Sequence, residues 1–521
     1  MRLINVQSLE LESYSEGTIP SYITLSHRWL DEKDEVKFEE YDDEREKYYQ
    51  GQQVREGFEK IWRLCEFVRK GAFVDRKGKP VLWVWVDTCC IDKRSSSELS
   101  ESINSMARYY WDAVLCVAYL ADVPSGGPDQ TIWQSEWFTR GWCLQELLFP
   151  WEIVFCDKVW GMLGRKRDGW FQRQLSARTG IDEECLESRD TMLRQCVAKK
   201  MSWASRRVTK RTEDLAYCLL GLFNIQMALL YGEGMNAFAR LQEEIVRQTD
   251  DESVFAWTLP ESMHKEGRDE PDRDFTRWTI RNSVLIESQS VFAPHPKYFG
   301  NCWRAHLAGN MKRPPYRITN KGLEFQSQTW EVTNENLGED KVTVVELNCG
   351  NVVDLGDGQW QDRSFLMVLG EMNTRGRFQR LELSPTKVRR AFRADGHKHP
   401  HDDPRLAGKQ WQGDGYMWQF FHGFDAENTI IKQAAGTLYI QALSSIKSLG
   451  GQAFNGENFM TLTKAVDERV YKTLSMQGLI NPTRLDLRRH DDRGRSSSHS
   501  SQPYRQVDPH QEYRRAIMHG R

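Results

Sequence analysis

The stretch "VLWVWVD", residues 81–87, constrains the fold of this chain more than any other. Its apolar residues follow one another without the polar alternation of a strand that has one face in water. A strand that is apolar on both faces belongs in the middle of a parallel sheet that is covered on both sides. The apolar strands "YITLSH" and "VLCVAYLADV" lie before and after it, and helical patterns separate all three. This alternation predicts an α/β fold with a parallel sheet and right-handed connections.

Two amphipathic segments predict the helices between these strands. In "FEKIWRLCEFVRKG" apolar residues from Phe58 to Val68 recur at helical spacing, and a glycine follows. "KRSSSELSESINSMARYYWDA" opens with a Ser95 to Glu98 capping-box pattern. Open α/β sheets bind ligands where the carboxyl ends of strands lead into loops. We therefore expect a ligand site at the loops "SHRW" and "DTCCIDK" and at the start of the helix "RGWCLQE".

Composition divides the rest of the chain. At 521 residues the chain is too long for a single core. We expect an α/β domain over 1–257 with a helical extension from about residue 195, and a charged linker over 258–276. Short β-type runs between Gly, Asn and Asp turns predict a mainly β domain over 277–480. The Arg- and Ser-rich end, 481–521, is predicted to be disordered.

Charge and cysteine usage exclude several classes of function. A net charge of -3 and a pI near 6.5 predict no attraction to nucleic acid or to an anionic membrane. We find no signal-peptide pattern, and no apolar run approaches the roughly 20 residues of a membrane span. The eleven cysteines have no paired C-x-x-C spacing, which predicts reduced thiols rather than disulfides or a zinc site. These patterns predict a soluble, cytoplasmic protein without a metal or a prosthetic group.

The stretch "FTRGWCLQELLFP", residues 138–150, places one acid among apolar neighbours. Glu146 lies on a predicted helix with Leu144, Leu147 and Leu148. A buried carboxylate is unfavourable unless another group pairs with it or a reaction uses it. Two interpretations stay open: Glu146 forms a structural salt bridge with Arg140 or Arg28, or it takes part in chemistry.

Several long motifs resemble, in order, the blocks of the fungal heterokaryon incompatibility (HET) domain. They are "IPSYITLSHRW", "WVDTCCIDKRSSSELSESINSM", "WFTRGWCLQELL", "MSWASRRVTKRTEDLAYCLLGLF" and "LLYGEGMNAFARLQEEI" followed by "DDESVFAW". The resemblance covers about residues 1–257. It implies a part in fungal nonself recognition and in programmed cell death after incompatible cell fusion. Other incompatibility proteins, or further copies of this chain, are then the expected partners.

A second resemblance concerns the mechanism. "YITLSHRW" is similar to the opening strand and loop of Toll/interleukin-receptor (TIR) domains, and "WCLQEL" is similar to their W-C-x-x-E-L helix. This resemblance implies a TIR-like, flavodoxin-like parallel sheet over the N-terminal domain. In the TIR domains that cleave NAD, the Glu of that helix is catalytic, and its counterpart here is Glu146. NAD is then the expected substrate.

The chemistry of NAD cleavage suits a single buried acid. Breaking the bond between nicotinamide and ribose creates an oxocarbenium-like centre, which a carboxylate in a pocket of low dielectric constant can stabilise. Trp142 precedes Glu146 by four residues, so its indole is predicted to form a wall of the same pocket. The residues predicted to contact NAD lie at the strand ends and at the helix start: Ser26, His27, Arg28, Trp29, Asp87 and Trp142.

Each of these residues also has a structural interpretation. His27 and Trp29 can pack and form hydrogen bonds at a strand end, and Asp87 can cap a loop or helix. Cys89 and Cys90 are expected to be core or loop thiols. A nucleophilic pair of Cys143 with His27 can be drawn, although nothing in the sequence brings the two together. The stretch "GHKHPHDD", residues 396–403, is expected to be a solvated loop rather than a metal site.

A non-catalytic function stays open at this point. In that alternative the α/β domain is a death-signalling module that associates with itself or recruits a partner through its surface. The segments "SHRW" and "RGWCLQE" then serve structure or an interface. The acid within "WCLQEL" favours the enzyme, whereas the lack of a second assigned catalytic group favours the adaptor.

Overall fold

A computed structural model describes residues 1–126, 129–258, 290–309, 313–334, 341–356, 359–372, 377–381 and 429–440. Most of the predicted linker, the histidine-rich stretch 396–403 and the predicted disordered tail lie outside the described residues. Within the described ranges, no helix combines the length and the apolar character that crossing a membrane requires.

The N-terminal half of the chain forms a seven-stranded sheet. Its strands are β1 (Arg2–Asn5), β2 (Leu11–Ser13), β3 (Tyr22–His27), β4 (Trp83–Trp85), β5 (Leu115–Tyr119), β6 (Ile153–Cys156) and β7 (Met162–Arg165). They lie in the order β2-β1-β4-β3-β5-β6-β7. Every residue of β3 and of β6 is buried, so the middle of the sheet is covered on both faces, as the continuous apolar runs predict.

The sheet is mixed rather than wholly parallel, which corrects part of the prediction. The pairs β4–β3, β3–β5 and β5–β6 are parallel. The edges are antiparallel because β1 and β2 form a hairpin against β4, and β7 pairs back onto β6. The stretch "VLWVWVD" contributes a strand of only three residues. The α/β class is confirmed for this half of the chain.

Helices connect and cover these strands. They are α1 (Tyr41–Tyr49), α2 (Glu56–Gly71), α3 (Ser96–Asp112), α4 (Asp129–Gln134), α5 (Cys143–Leu148), α6 (Gly169–Thr179), α7 (Glu183–Glu187), α8 (Arg189–Leu193), α9 (Val197–Ala204), α10 (Asp214–Tyr217), α11 (Leu220–Phe223) and α12 (Asn236–Gln248). The predicted cap of α3 is present, since the Ser95 hydroxyl accepts the Glu98 N–H at 3.3 Å. Along the chain, α2 connects β3 to β4, and α3 connects β4 to β5. The strands β4 and β5 are the two neighbours of β3 in the sheet.

The order of the parallel strands contains a reversal at β3. The first strand in the chain, β3, lies between β4 and β5. The direction of the connections therefore reverses at β3, and open α/β sheets bind ligands in the crevice at such a reversal. The residues that follow the carboxyl ends of β3 and β5 are the ones placed at this crevice.

A second seven-stranded sheet follows. Its strands are β8 (Ala305–Leu307), β9 (Arg317–Thr319), β10 (Gly322–Asn334), β11 (Lys341–Gly356), β12 (Gln359–Met372), β13 (Arg377–Leu381) and β14 (Thr429–Ile440). β10 pairs with both β14 and β11, so the strands from β10 to β14 close into a ring. Most pairs are antiparallel, whereas β13 and β14 are parallel.

The end of the first half packs against residues 290–302. The indole of Trp257 donates a hydrogen bond to the Val291 carbonyl at 2.8 Å, and its ring lies 5.7 Å from that of Tyr298. Glu252, beyond α12, accepts hydrogen bonds from Arg313 at 2.8 Å and from the Asn348 N–H at 2.7 Å. These contacts join the helical extension to the second sheet.

Candidate functional site

Two consecutive residues at the end of β3 make contacts in separate directions. Successive side chains of a strand point to opposite faces of its sheet. Ser26 contacts the side of the sheet that α5 covers, where its hydroxyl meets Glu146. His27 contacts Asp87, which follows β4. The predicted site residues of this strand therefore form two separate groups.

The first group consists of Glu146, Ser26 and Trp137. The Ser26 hydroxyl donates a hydrogen bond to the Glu146 carboxylate and accepts one from the Trp137 indole N–H at 2.7 Å. Trp137 lies on a single turn of 3-10 helix, Glu136–Thr139, that precedes α5. Glu146 is 9% exposed, so this carboxylate is almost enclosed. The structure thus brings Glu146 to the strand end that the sequence predicts.

The environment of Glu146 favours its neutral form. Burial raises the pKa of Glu146 to about 7, while the hydrogen bond from Ser26 acts against that shift. The Cys143 thiol also interacts with the carboxylate, and burial raises the pKa of that thiol well above its usual range. Near neutral pH the carboxyl group therefore exists in both protonation states.

Glu146 does not form the predicted alternative salt bridge. Among the described residues it has no ion pair, and Arg28 pairs instead with Glu136 at the surface. Arg140 acts on Glu146 only by favouring its ionised form at longer range. The interpretation of Glu146 as the partner of Arg28 or Arg140 is therefore wrong for the part of the chain that the structure describes.

The second group is centred on Asp87. Its carboxylate lies 3.0 Å from His27 Nε2 and accepts a hydrogen bond from the Trp29 indole at 2.8 Å. The Lys93 ammonium lies 3.5 Å from the centre of the Trp29 ring. Asp87 thus joins two side chains of the "SHRW" loop, rather than capping a backbone segment as the alternative interpretation proposes.

The pKa values of Asp87 and His27 shift in the directions that keep Asp87 charged and His27 neutral. Burial opposes ionisation of Asp87, but the hydrogen bond from His27 and the charge of Lys93 outweigh it and hold the pKa well below its usual range. Burial and the charge of Lys60 lower the pKa of His27. Among the described residues, buried His27 Nδ1 has no hydrogen-bond partner.

Trp142 and Cys143 have other partners than those predicted from the sequence. The indole of Trp142 interacts with Asp214, whose carboxylate also accepts a hydrogen bond from Tyr231 at 3.0 Å. Cys143 interacts with Glu146, whereas His27 binds Asp87, so the nucleophilic pair of Cys143 and His27 is not formed.

The indole that contacts the Ser26 hydroxyl is that of Trp137. Sequence reasoning missed Trp137, although it stands in the motif "WFTRGWCLQELL".

The cysteine side chains all lie in similar surroundings. All eleven cysteines are free and buried. Cys89 and Cys90 belong to the core, and burial is the main cause that raises the pKa of Cys89 well above its usual range. The described residues contain no group of three or more side chains of the kinds that hold a metal ion.

An open cleft lies beside the same strand ends, against the N-terminal half of α2. Its volume is about 720 Å³, within the range of ligand sites. Leu30 and Tyr119 line it where β3 and β5 end, and Trp160 stacks on Tyr119 with 4.7 Å between ring centres. Glu146, Ser26 and Trp137 do not line this cleft.

Backbone contacts from the helical extension hold the start of α5. The Gly141 N–H donates to the Val208 carbonyl at 2.8 Å, and the Val208 N–H donates to Thr139 at 2.7 Å. The side chain of Gln145 donates to the Cys218 carbonyl at 2.6 Å. The buried helix that carries Glu146 is thus fixed by a segment that lies more than sixty residues further along the chain.

Comparisons with known proteins match two parts of the chain. Residues 22–130 match the family model of the heterokaryon incompatibility protein (HET) family, and residues 236–313 match a domain of unknown function, DUF8212. Ser26 to Trp29 and Asp87 lie inside the first match, whereas Glu146 lies beyond it.

One curated relative matches a larger part. The chain is 38% identical over 239 residues to the vegetative incompatibility protein HET-E-1 of Podospora anserina. The match covers 44% of this chain and 16% of that protein, so the chain spans a small part of its relative. No solved structure matches the chain.

Proposed function

We propose that this chain, which carries a heterokaryon incompatibility domain, acts in fungal vegetative incompatibility and contributes to nonself recognition and cell death. The family match over residues 22–130 and the identity to a vegetative incompatibility protein support this function. The motif order from "YITLSHRW" to "DDESVFAW" extends the same resemblance to the whole N-terminal half.

The proposed activity is the hydrolysis of NAD by a TIR-like sheet domain with Glu146 as the catalytic carboxylate. One observation carries this proposal. Glu146 on α5 is buried and contacts Ser26. Ser26 lies near the end of β3, the strand at which the sheet connections reverse. A carboxyl group with a pKa raised by burial, close to such a strand end, is typical of functional sites.

Glu146 is the residue of the first group that takes part in the bond-breaking step. As the glycosidic bond breaks, its electron pair moves to the nicotinamide nitrogen and cancels the charge of the ring. The Glu146 carboxylate stabilises the positive charge that develops on the ribose. A water molecule then forms the new carbon–oxygen bond and passes its proton to Glu146. Nicotinamide leaves as a neutral molecule, so this step needs no second acid.

Arg28 and Ser26 are the proposed binding residues. Arg28 is exposed at the end of β3, and its guanidinium can bind a pyrophosphate in a bidentate manner. The Ser26 hydroxyl, which contacts the carboxylate, is the proposed partner of a ribose hydroxyl once its bond with the Trp137 indole is broken. His27 and Trp29 each bond to the Asp87 carboxylate, and we propose that these contacts fix the shape of this loop.

A second candidate function follows from the enclosure of Glu146. The carboxylate is 9% exposed and does not line the cleft of about 720 Å³, so it is poorly accessible to a substrate. This observation favours a non-catalytic domain that signals by self-association or by recruiting a partner. In that case Glu146 serves only the packing of α5.

Expression in fungal cells separates the two functions. We expect the wild-type chain to reduce both viability and cellular NAD, and Glu146→Gln to abolish both effects at equal protein level. Glu152→Gln is the matched control, since Glu152 accepts the N–H of Ile153 away from Ser26. If Glu146→Gln remains toxic and still lowers NAD, the catalytic assignment is wrong. If the wild type and the variant are equally toxic without loss of NAD, the adaptor function is the correct one.

A further inference from the structure

The turn Glu136–Thr139, here named the Trp137 turn, covers the catalytic candidate. Trp137 is 1% exposed, and its indole N–H donates to the same Ser26 hydroxyl that donates to Glu146. The indole therefore takes the hydrogen-bonding position next to Ser26 that a substrate hydroxyl would need. A ribose can approach Glu146 from this side only if the Trp137 side chain moves.

The two ends of the Trp137 turn are held differently. At its carboxyl end, the pair of backbone hydrogen bonds between Thr139, Gly141 and Val208 is part of the packed helical extension. At its amino end, Asp122 accepts the Ser135 hydroxyl at 2.7 Å and the Glu136 N–H at 2.8 Å. The turn is thus anchored by backbone bonds on one side and by side chains on the other.

An exposed ion pair links this turn to the end of β3. Arg28 pairs with Glu136, and the two side chains are 51% and 58% exposed. Exposed ion pairs contribute little to stability, and a competing anion can replace one partner. A pyrophosphate carries more negative charge and more acceptor oxygens than a carboxylate and also binds a guanidinium through charge-assisted hydrogen bonds, so it can replace the single carboxylate of Glu136.

We propose that the Trp137 turn is a lid over Glu146 and that the diphosphate of a nucleotide substrate opens it by taking Arg28 from Glu136. The proposal rests on the proposed function, because it takes NAD as the substrate. Once Glu136 loses its partner, the turn moves away from β3 and the indole leaves Ser26. Binding of the anionic part of the substrate thereby uncovers the carboxylate that acts on the ribose.

Thiol alkylation of the full chain tests the lid without any activity. Cys143 is buried and interacts with Glu146, so we expect an opening of the turn that uncovers Glu146 to raise the alkylation rate of Cys143 as well; Cys65 on α2 is the internal reference. We expect Glu136→Gln to accelerate alkylation of Cys143 by about two- to fivefold, the range that one exposed ion pair supplies, and to leave Cys65 unchanged. Glu59→Gln, which removes the exposed pair of Glu59 with Arg63, is the matched control.

Hydrogen exchange tests the second part of the proposal. We expect ADP-ribose to increase deuterium uptake in peptides that cover residues 136–141, and adenosine, which lacks phosphate, to leave it unchanged. Protection or no change with ADP-ribose overturns the proposal, and so does an unchanged alkylation rate of Cys143 in Glu136→Gln. Thermal unfolding of Glu136→Gln verifies that the variant folds. Because neither readout requires turnover, a chain that fails to cleave NAD refutes the proposed function and leaves these two tests intact.

Discussion

Glu146 is a buried acid on α5, and the other residues of this helix are also all buried. The Ser26 hydroxyl and the Cys143 thiol are its polar neighbours, and among the described residues no cation lies within ion-pair distance. Such an arrangement leaves the ionised form poorly stabilised, which is the physical reason for a pKa of about 7.

The first prediction concerns stability. The folded-state pKa of Glu146 lies above its usual value, so the wild type loses stability as pH rises from about 4.5 to about 7. We expect Glu146→Gln to be more stable than the wild type at pH 8 by about 1–3 kcal/mol, and to be nearly equal at pH 5. Denaturant unfolding of both proteins at the two pH values measures this difference. A glutamine variant that is less stable than the wild type at pH 8 would show that the buried carboxylate does not destabilise the fold.

The second prediction concerns the pH dependence of NAD cleavage. The proposed mechanism needs the carboxylate form of Glu146, whose fraction rises with pH through about 7. We therefore expect kcat/KM to increase several-fold between pH 6 and pH 8. A rate that stays constant over this interval shows that another group, or none, carries the reaction.

The positions of Ser26 and Glu146 could be predicted from the sequence, whereas the contacts of Trp137 and Glu136 could not. The strand-end position of Ser26 and the helix position of Glu146 follow from local motifs, and the structure brings the two side chains together. Trp137 and Glu136 were missed because their contacts with Ser26 and Arg28 join positions about a hundred residues apart. Periodicity describes only the near neighbours of a residue.

At the scale of elements, α5 depends on the segment between Arg207 and Cys218. The Arg207 guanidinium donates to the Arg140 carbonyl at 2.9 Å, and Gln145 bonds the Cys218 carbonyl. Gly141 allows the two segments to approach closely. A Cβ atom at this position would lie 2.5 Å from Thr209 Cγ2 and 3.0 Å from Cys218 Sγ. The position of Glu146 is therefore set by the helical extension as well as by the sheet.

The third prediction tests this dependence. We expect Gly141→Ala to displace the start of α5, to lower stability by about 1–3 kcal/mol and to reduce NAD cleavage. Gly169→Ala is the control, since an added Cβ there meets only the end of Arg173 at 3.8 Å. Equal unfolding midpoints and equal activity for the two variants contradict the proposed role of the extension.

In the whole molecule, the packing of the first half of the chain continues beyond residue 257. Trp257 is 1% exposed because Val291 and Tyr298 cover it, and Gln242 of α12 bonds both the N–H and the carbonyl of Ala293. The sequence predicts a boundary near Trp257 from the charged composition that follows. Local composition does not reveal packing between distant segments, so the contribution of residues 290–302 was not predictable.

The fourth prediction compares two fragments. We expect residues 1–257 to be less stable than residues 1–304 by about 3 kcal/mol or more, since the shorter fragment exposes Phe255 and Trp257. Thermal unfolding and size-exclusion chromatography of both fragments measure the difference. Identical unfolding midpoints would show that residues 290–302 add nothing to the first half.

Mass spectrometry of the nicotinamide that the purified full chain releases from NAD tests directly whether Glu146 is the catalytic carboxylate. We expect release by the wild type, a loss of roughly a hundredfold or more in Glu146→Gln, and near wild-type release in Glu152→Gln. Release that is equal in the wild type and Glu146→Gln, or no release by the wild type, contradicts the assignment of Glu146 as the catalytic carboxylate.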